Sequence, residues 1–228
     1  MKRVLYISIL GLFLTPSAWA QKVTDTTYFE GTITYDITYI SSKKGIDKNR
    51  LMALEGNKMV MTFKNGNYKK EFFAPDKSWL RSYYLLVENK KTYAKVADTD
   101  TVYWYSMAQR TSDAFITKGK DSVILNHKVV GFNSNIKVTL KTQPDSVFYV
   151  TSSYYFAPDL KVNPDWYEGF TEYRFDELFR RGKGIQLFMI EEGLYWTKIY
   201  TPTAINRRPV KDSELTLNLP EGTVFLEL

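Results

Sequence analysis

The chain has no cysteine and a single histidine, His127, in 228 residues. The first absence excludes a disulfide framework and a lipid-acceptor thiol. The two together exclude a Cys/His zinc site by count, and any histidine-dependent triad would have to be built on His127. No G-x-S-x-G turn presents a serine. His127, in Leu125-Asn126-His127-Lys128, reads as a hairpin-turn residue rather than a catalytic one, since it has no sequence partners of the right kind. Long apolar runs are scarce too. The N-terminal one, uncharged from Val4 to Leu14, is about half of the roughly 20 residues that a spanning helix needs.

Around that run stand Lys2 and Arg3 before it, and Pro16 and the small-x-small ending Ala18-Trp19-Ala20 after it. This is the layout of a secretory signal peptide over residues 1–20, with cleavage expected before Gln21 and a single β domain over 21–228. The chain is therefore expected to be exported. The net charge of +6 is dispersed in pairs such as Lys43-Lys44, Lys69-Lys70, Lys90-Lys91, Arg180-Arg181 and Arg207-Arg208. Nucleic acid is not an expected partner, because its binding needs a concentrated basic patch on a recognisable module.

Short alternating segments dominate the rest. In Phe29-Glu30-Gly31-Thr32-Ile33-Thr34-Tyr35-Asp36-Ile37-Thr38-Tyr39-Ile40, large or apolar residues alternate with small or polar ones, the period of a half-buried strand. Phe29, Ile33, Tyr35, Ile37 and Tyr39 are expected on the inner face. Lys58–Lys64 and Asn67–Phe73 flank Asn65-Gly66, a hairpin signal because a type I′ turn needs positive φ at both central positions. Further strands are expected over Trp79–Val87, Thr92–Val96, Thr101–Met107, Ser122–Leu125, Lys128–Phe132, Ile136–Lys141, Ser146–Phe156, Ile185–Ile190, Leu194–Thr201 and Glu214–Leu219. Turn-forming residues divide them, as in an antiparallel β-protein.

Residues 163–182 break the pattern. Asn163 suits a cap, Pro164 the first helical position, Asp165 the positive N-terminus, and Arg180-Arg181-Gly182 a basic last turn with a stop. Trp166, Phe170 and Tyr173 share one face, and Gly169 is expected to split the segment into two short helices. An isolated amphipathic segment in a β-chain must bury its aromatic stripe against the sheet.

Paired carboxylates are the remaining chemical candidates. Asp98-Thr99-Asp100 lacks the spaced oxygen ligands and glycine of a calcium loop, and Glu191-Glu192-Gly193 reads as a hairpin turn. No catalytic residue, metal or cofactor is expected, and the chain is read as a non-enzyme. Its distinctive feature is aromatic content, with 17 Tyr, 14 Phe and 5 Trp. Aromatics fill β-protein cores, and they also line grooves. A curved sheet that one small helix cannot close would leave an apolar groove for a lipid, an acyl chain or a partner segment.

Several of these stretches carry a resemblance. F-E-G-T-I-T-Y-D-I-T-Y from Phe29, Val123–Phe132 leading into a strand, Tyr154-Tyr155-Phe156-Ala157-Pro158-Asp159-Leu160, Lys183-Gly184-Ile185-Gln186-Leu187 and the ending Val210–Gly222 resemble the uncharacterised secreted GLPGLI/LolA-like β-proteins of Gram-negative envelopes. The resemblance implies a mainly β fold, a strongly curved antiparallel half-barrel with one or two short helices covering its concave face. The expected lining is Ile33, Tyr35, Ile37, Tyr39, Met61 and Phe63, with Trp166, Phe170 and Tyr173 above, and the expected function is non-enzymatic binding of an apolar ligand or of an acylated or extended envelope partner. The location implied is then the periplasm, in reach of the outer membrane, and the partners implied are a lipid, a lipoprotein or another envelope protein. Two other readings stand beside it. An outer-membrane β-barrel would place Lys70 between Tyr68 and Phe72 on the lipid face, at a cost of roughly 2–4 kcal/mol near the midplane. A glycan-binding module would need Trp104, Trp166 or Trp196 as exposed platforms.

Overall fold

The computed structural model describes residues 28–41, 47–108, 114–140, 143–193, 196–219 and 221–228. The expected signal peptide and mature terminus lie outside them. The described strands are β1 (Gly31–Ser41), β2 (Lys58–Lys64), β3 (Asn67–Phe73), β4 (Trp79–Leu86), β5 (Lys91–Val96), β6 (Thr101–Ser106), β7 (Ala114–Lys118), β8 (Ser122–Ile124), β9 (His127–Leu140), β10 (Gln143–Lys161), β11 (Gly184–Glu192), β12 (Trp196–Arg207) and β13 (Val224–Glu227). Helices are α1 (Lys48–Glu55), α2 (Phe175–Gly182) and α3 (Asp212–Leu215), with 3-10 turns over Pro164–Tyr167 and Glu172–Arg174.

All thirteen strands belong to one mainly β sheet, in the order β13-β6-β5-β4-β3-β2-β1-β12-β11-β10-β9-β7, with β8 paired to β9. Every pairing is antiparallel except β13 with β6, which is parallel. The two ends of the path, β7 and β13, are not paired with each other among the described residues, so the sheet is open. It curves far enough that residues of β2–β6 and of β9–β12 line the same hollow.

The alternation in β1 appears directly as burial. Ile33, Tyr35, Ile37 and Tyr39 are buried, while Asp36, Thr38 and Ile40 are exposed. Register carries the inward face across the neighbouring strands: Ile33 lies opposite Met61, Met61 opposite Lys70, and Lys70 opposite Tyr83. On the other side Ile37 lies opposite Tyr200, which lies opposite Met189, which lies opposite Tyr154. Asn65 and Gly66 have φ of 50° and 83°, the I′ conformation expected of that turn. His127 follows a second positive-φ pair, Leu125-Asn126, at the β8–β9 turn, where its Nδ1 lies 2.6 Å from Asp159 Oδ2. Asp98, at φ 58°, sits in the β5–β6 turn.

Residues 163–182 form three short pieces. Asn163 Oδ1 accepts from the Asp165 N–H at 3.1 Å, Gly169 breaks the chain at φ 82°, and Lys183 ends α2 in the left-handed conformation. Aromatic stacking docks this segment: Tyr167 lies flat on Phe179 with ring centroids 3.7 Å apart, and Phe179 packs edge-on to Phe156 of β10.

Elsewhere the structure departs from the expected elements. Glu214–Leu219, expected as a strand, contains the end of α3. Glu214 there accepts from the Lys211 N–H at 2.9 Å and takes both guanidinium nitrogens of Arg208, so local capping outweighs β propensity. Over the described residues, the two strands expected from Lys128 and from Ile136 onward are one strand, β9, and Ser153 and Thr151 donate across to Asn133 and Asn135 along the continuous ladder. Three further elements, α1, β7 and β13, were not among those expected. No residue of α1 is buried, so it has no strong apolar stripe to read.

Candidate functional site

The hollow between the two arms of the sheet has a volume of about 430 Å³, within the usual range of ligand sites. One wall carries Tyr68 and Phe72 of β3 and Tyr83 of β4. The facing wall carries Tyr154, Met189 and Tyr200, and Phe170, Tyr173 and Phe175 roof the space.

Three cations also face it, and each lies against an aromatic ring. Lys70 Nζ is 4.9 Å from the Tyr68 centroid, the Arg81 guanidinium 5.0 Å from Phe72, and Lys198 Nζ 4.5 Å from Trp196. Arg81 and Lys198 converge on one carboxylate, Glu55 at the end of α1, at 2.6 and 2.9 Å. Burial pushes the Glu55 carboxyl up, yet the bond and charge of Lys198 and then Arg81 carry it below the usual carboxylate range. Helix α1, whose Leu51 and Met52 pack half-buried against the core, is thereby also tied to the sheet by its last residue. Glu191 lies opposite Lys198 in the β11–β12 ladder and accepts from the Tyr200 hydroxyl at 2.9 Å.

Glu172 enters from the roof and shares a hydrogen bond with Tyr105. Burial raises its carboxyl from the ordinary 4.5 to about 7. Between those values the native protein holds a proton that the unfolded chain has released, so this stabilisation is full below pH 4.5 and lost as the pH rises through about 7. With allowance for partial exposure, wild type should lose about 1–2 kcal/mol relative to Glu172→Gln across that window. Chemical denaturation of both proteins at pH 4.5, 6 and 8 measures it, and parallel profiles would show that Glu172 is hydrated in solution.

The residues expected from the sequence to line the groove divide into groups. Phe170 and Tyr173 border the hollow. Tyr35 and Met61 line a cleft of about 10 Å³ that it shares Lys70 with. Ile33, Ile37, Tyr39 and Phe63 are buried in the core beneath, and Tyr39 donates to the Gly56 carbonyl at 2.7 Å. Trp166 is half-buried on the outer side of the roof, against Tyr28 and Phe63. Sequence reasoning missed Arg81, Lys198, Glu55 and Glu172. A signal for the cations existed: Lys70 stands two residues from both Tyr68 and Phe72, and Lys198 two from both Trp196 and Tyr200, which puts charge on the aromatic face.

No family model matches the chain, so the motif resemblance stands on its residues alone. No curated protein matches it either. Among solved structures, the chain is similar to an uncharacterized conserved protein from Thermus thermophilus at 5% identity and TM-score 0.41, covering 87% of this chain and 91% of that one. It is similar to the lipoprotein LppX of Mycobacterium tuberculosis at 8% identity and TM-score 0.36, covering 80% and 89%, and to LprF of Mycobacterium bovis at 10% and 0.33, covering 80% and 88%. Likeness at this level carries no functional inference.

Proposed function

We propose that this chain is an exported, non-enzymatic binding protein of the cell envelope that takes an amphiphile, a lipid or the acyl chain of a lipid-modified partner, into the hollow of its curved sheet. The observation that carries the reading is the 430 Å³ space itself, walled by aromatic rings from both arms of the sheet and roofed by Phe170 and Phe175. Rings give apolar contact to a chain, and the tyrosine hydroxyls and charged groups hold its polar end.

The other readings meet specific obstacles. A membrane-spanning barrel must close so that no strand edge faces lipid, whereas this sheet runs from β13 to β7 without pairing them among the described residues. Lys70, Tyr68 and Phe72 also face the hollow together rather than outward. A glycan platform needs a bare indole face. Trp104, Trp166 and Trp196 are all half-buried, and Lys91 Nζ sits 3.6 Å over the Trp104 ring.

Native mass spectrometry of the purified protein before and after organic extraction tests the proposal. The expected result is a stoichiometric, extractable adduct, or saturable uptake of an added long-chain amphiphile when the protein is isolated empty. A protein with no adduct that takes up no amphiphile would refute it.

A further inference from the structure

Lys70 stands apart from the other charges of the hollow. It lies on the inner face of β3, in register between Met61 and Tyr83. Arg81 and Lys198 both pair with Glu55, and Lys198 also faces Glu191 across the β11–β12 ladder. Among the described residues, no carboxylate lies within ion-pair distance of Lys70 Nζ and no hydrogen bond is made to it; its contact is the Tyr68 ring. Glu191, the carboxylate whose charge acts on it, accepts from the Tyr200 hydroxyl at 2.9 Å instead. An ammonium in an aromatic cavity without a counter-charge is costly unless something pairs with it. Burial accordingly pushes Lys70 below the usual lysine range, with the Glu191 charge acting in the opposite direction.

Resting on the reading of the hollow as an amphiphile site, we infer that its ligand is an acyl chain ending in a free carboxylate, whose head group pairs with Lys70 while the chain lies along the aromatic walls. The charge balance selects a monoanion. Of the three cations, Lys70 is the one with no carboxylate at ion-pair distance, and Glu191 exerts its field at the same place, so a second negative charge on the head group would be repelled. A neutral head group would leave Lys70 unpaired. A cationic one would have to displace it.

The test compares dansylaminoundecanoic acid with its methyl ester, by fluorescence titration against wild type, Lys70→Met and Lys70→Arg. Wild type is expected to prefer the acid by about tenfold or more. Lys70→Met should bind the two probes alike, and Lys70→Arg should keep most of the preference. Laurate should displace the acid better than dodecyl phosphate at pH 8, where the phosphate is largely dianionic. Equal binding of acid and ester by wild type, or a preference that survives in Lys70→Met, overturns the head-group assignment and leaves the hollow as a site for neutral amphiphiles. Stronger displacement by dodecyl phosphate overturns the carboxylate in favour of a phosphate head. If neither probe binds, the amphiphile reading fails and this inference with it. Lys70→Met replaces a charge with an apolar side chain beside Met61 and is expected to melt no lower than wild type; should it fail to fold, the acid-against-ester comparison in wild type decides alone.

Discussion

Phe170→Ala is expected to destabilise the protein by about 3–5 kcal/mol, the cost of deleting a fully buried phenylalanine from a core that relaxes only in part. Phe170 is 2% exposed and lies 5.1 Å, ring to ring, from Phe175, which itself packs on Tyr154 and Phe179. The sequence alone suggests a partly buried lid contact and a smaller loss. The structure places the ring in the continuous core and at the border of the hollow at once. Truncation therefore has two readouts. The melting temperature should fall by roughly 10 °C or more, and the hollow should gain the space the ring leaves, raising uptake of an apolar dye by the still-folded protein. A small stability loss would mean that the roof is not packed as described. A large loss without a change in dye binding would mean that the dye site, and with it the proposed ligand site, lies elsewhere.

How far the sequence discloses this architecture depends on which physical signal each element carries. β2 and β3 are legible to the residue because alternation and the Asn65-Gly66 turn point the same way. The break at Gly169 and the Asn163 cap are legible because their chemistry is local. β7 has little local signal, β13 only the short alternation of Val224–Leu228, and α1 presents mostly polar surface, so their positions depend on partners distant in the chain. The charged part of the hollow was obscured for a related reason. Glu55 is joined to Lys198, 143 positions away, and to Arg81, 26 away, and no window of sequence contains that triad. Even so, a lysine at the centre of an aromatic period-2 stripe, as at Tyr68-Lys70-Phe72, is a sequence feature that separates a polar-headed site from a plain apolar core.

Gly66→Val should be as damaging as a core truncation, although it alters a turn at the end of a hairpin. Positive φ at Gly66 accounts for about 1–2 kcal/mol with a β-branched residue. The surroundings add a second cost. A Cβ at Gly66 would lie 2.8 Å from Trp166 Cβ and 2.9 Å from its Cγ, and the Gly66 carbonyl accepts from the buried Tyr167 hydroxyl at 3.1 Å. Pushing the indole away forces overpacking on Phe63 and Tyr28, typically about 1–3 kcal/mol, for a total of about 2–5 kcal/mol. The two costs can be separated with a double-mutant cycle on Trp166→Ala. If the indole contact contributes, Gly66→Val should cost less in the Trp166→Ala background than in wild type, down to the strain of positive φ alone. Strict additivity would confine the effect to the turn. The contact also links stability to binding, because Trp166 and Tyr167 begin the segment that carries Phe170, Glu172 and Phe175 over the hollow. Displacing them should loosen the roof and speed release of a bound amphiphile. An unchanged dissociation rate in folded Gly66→Val would show that the ligand passes in and out without the roof moving.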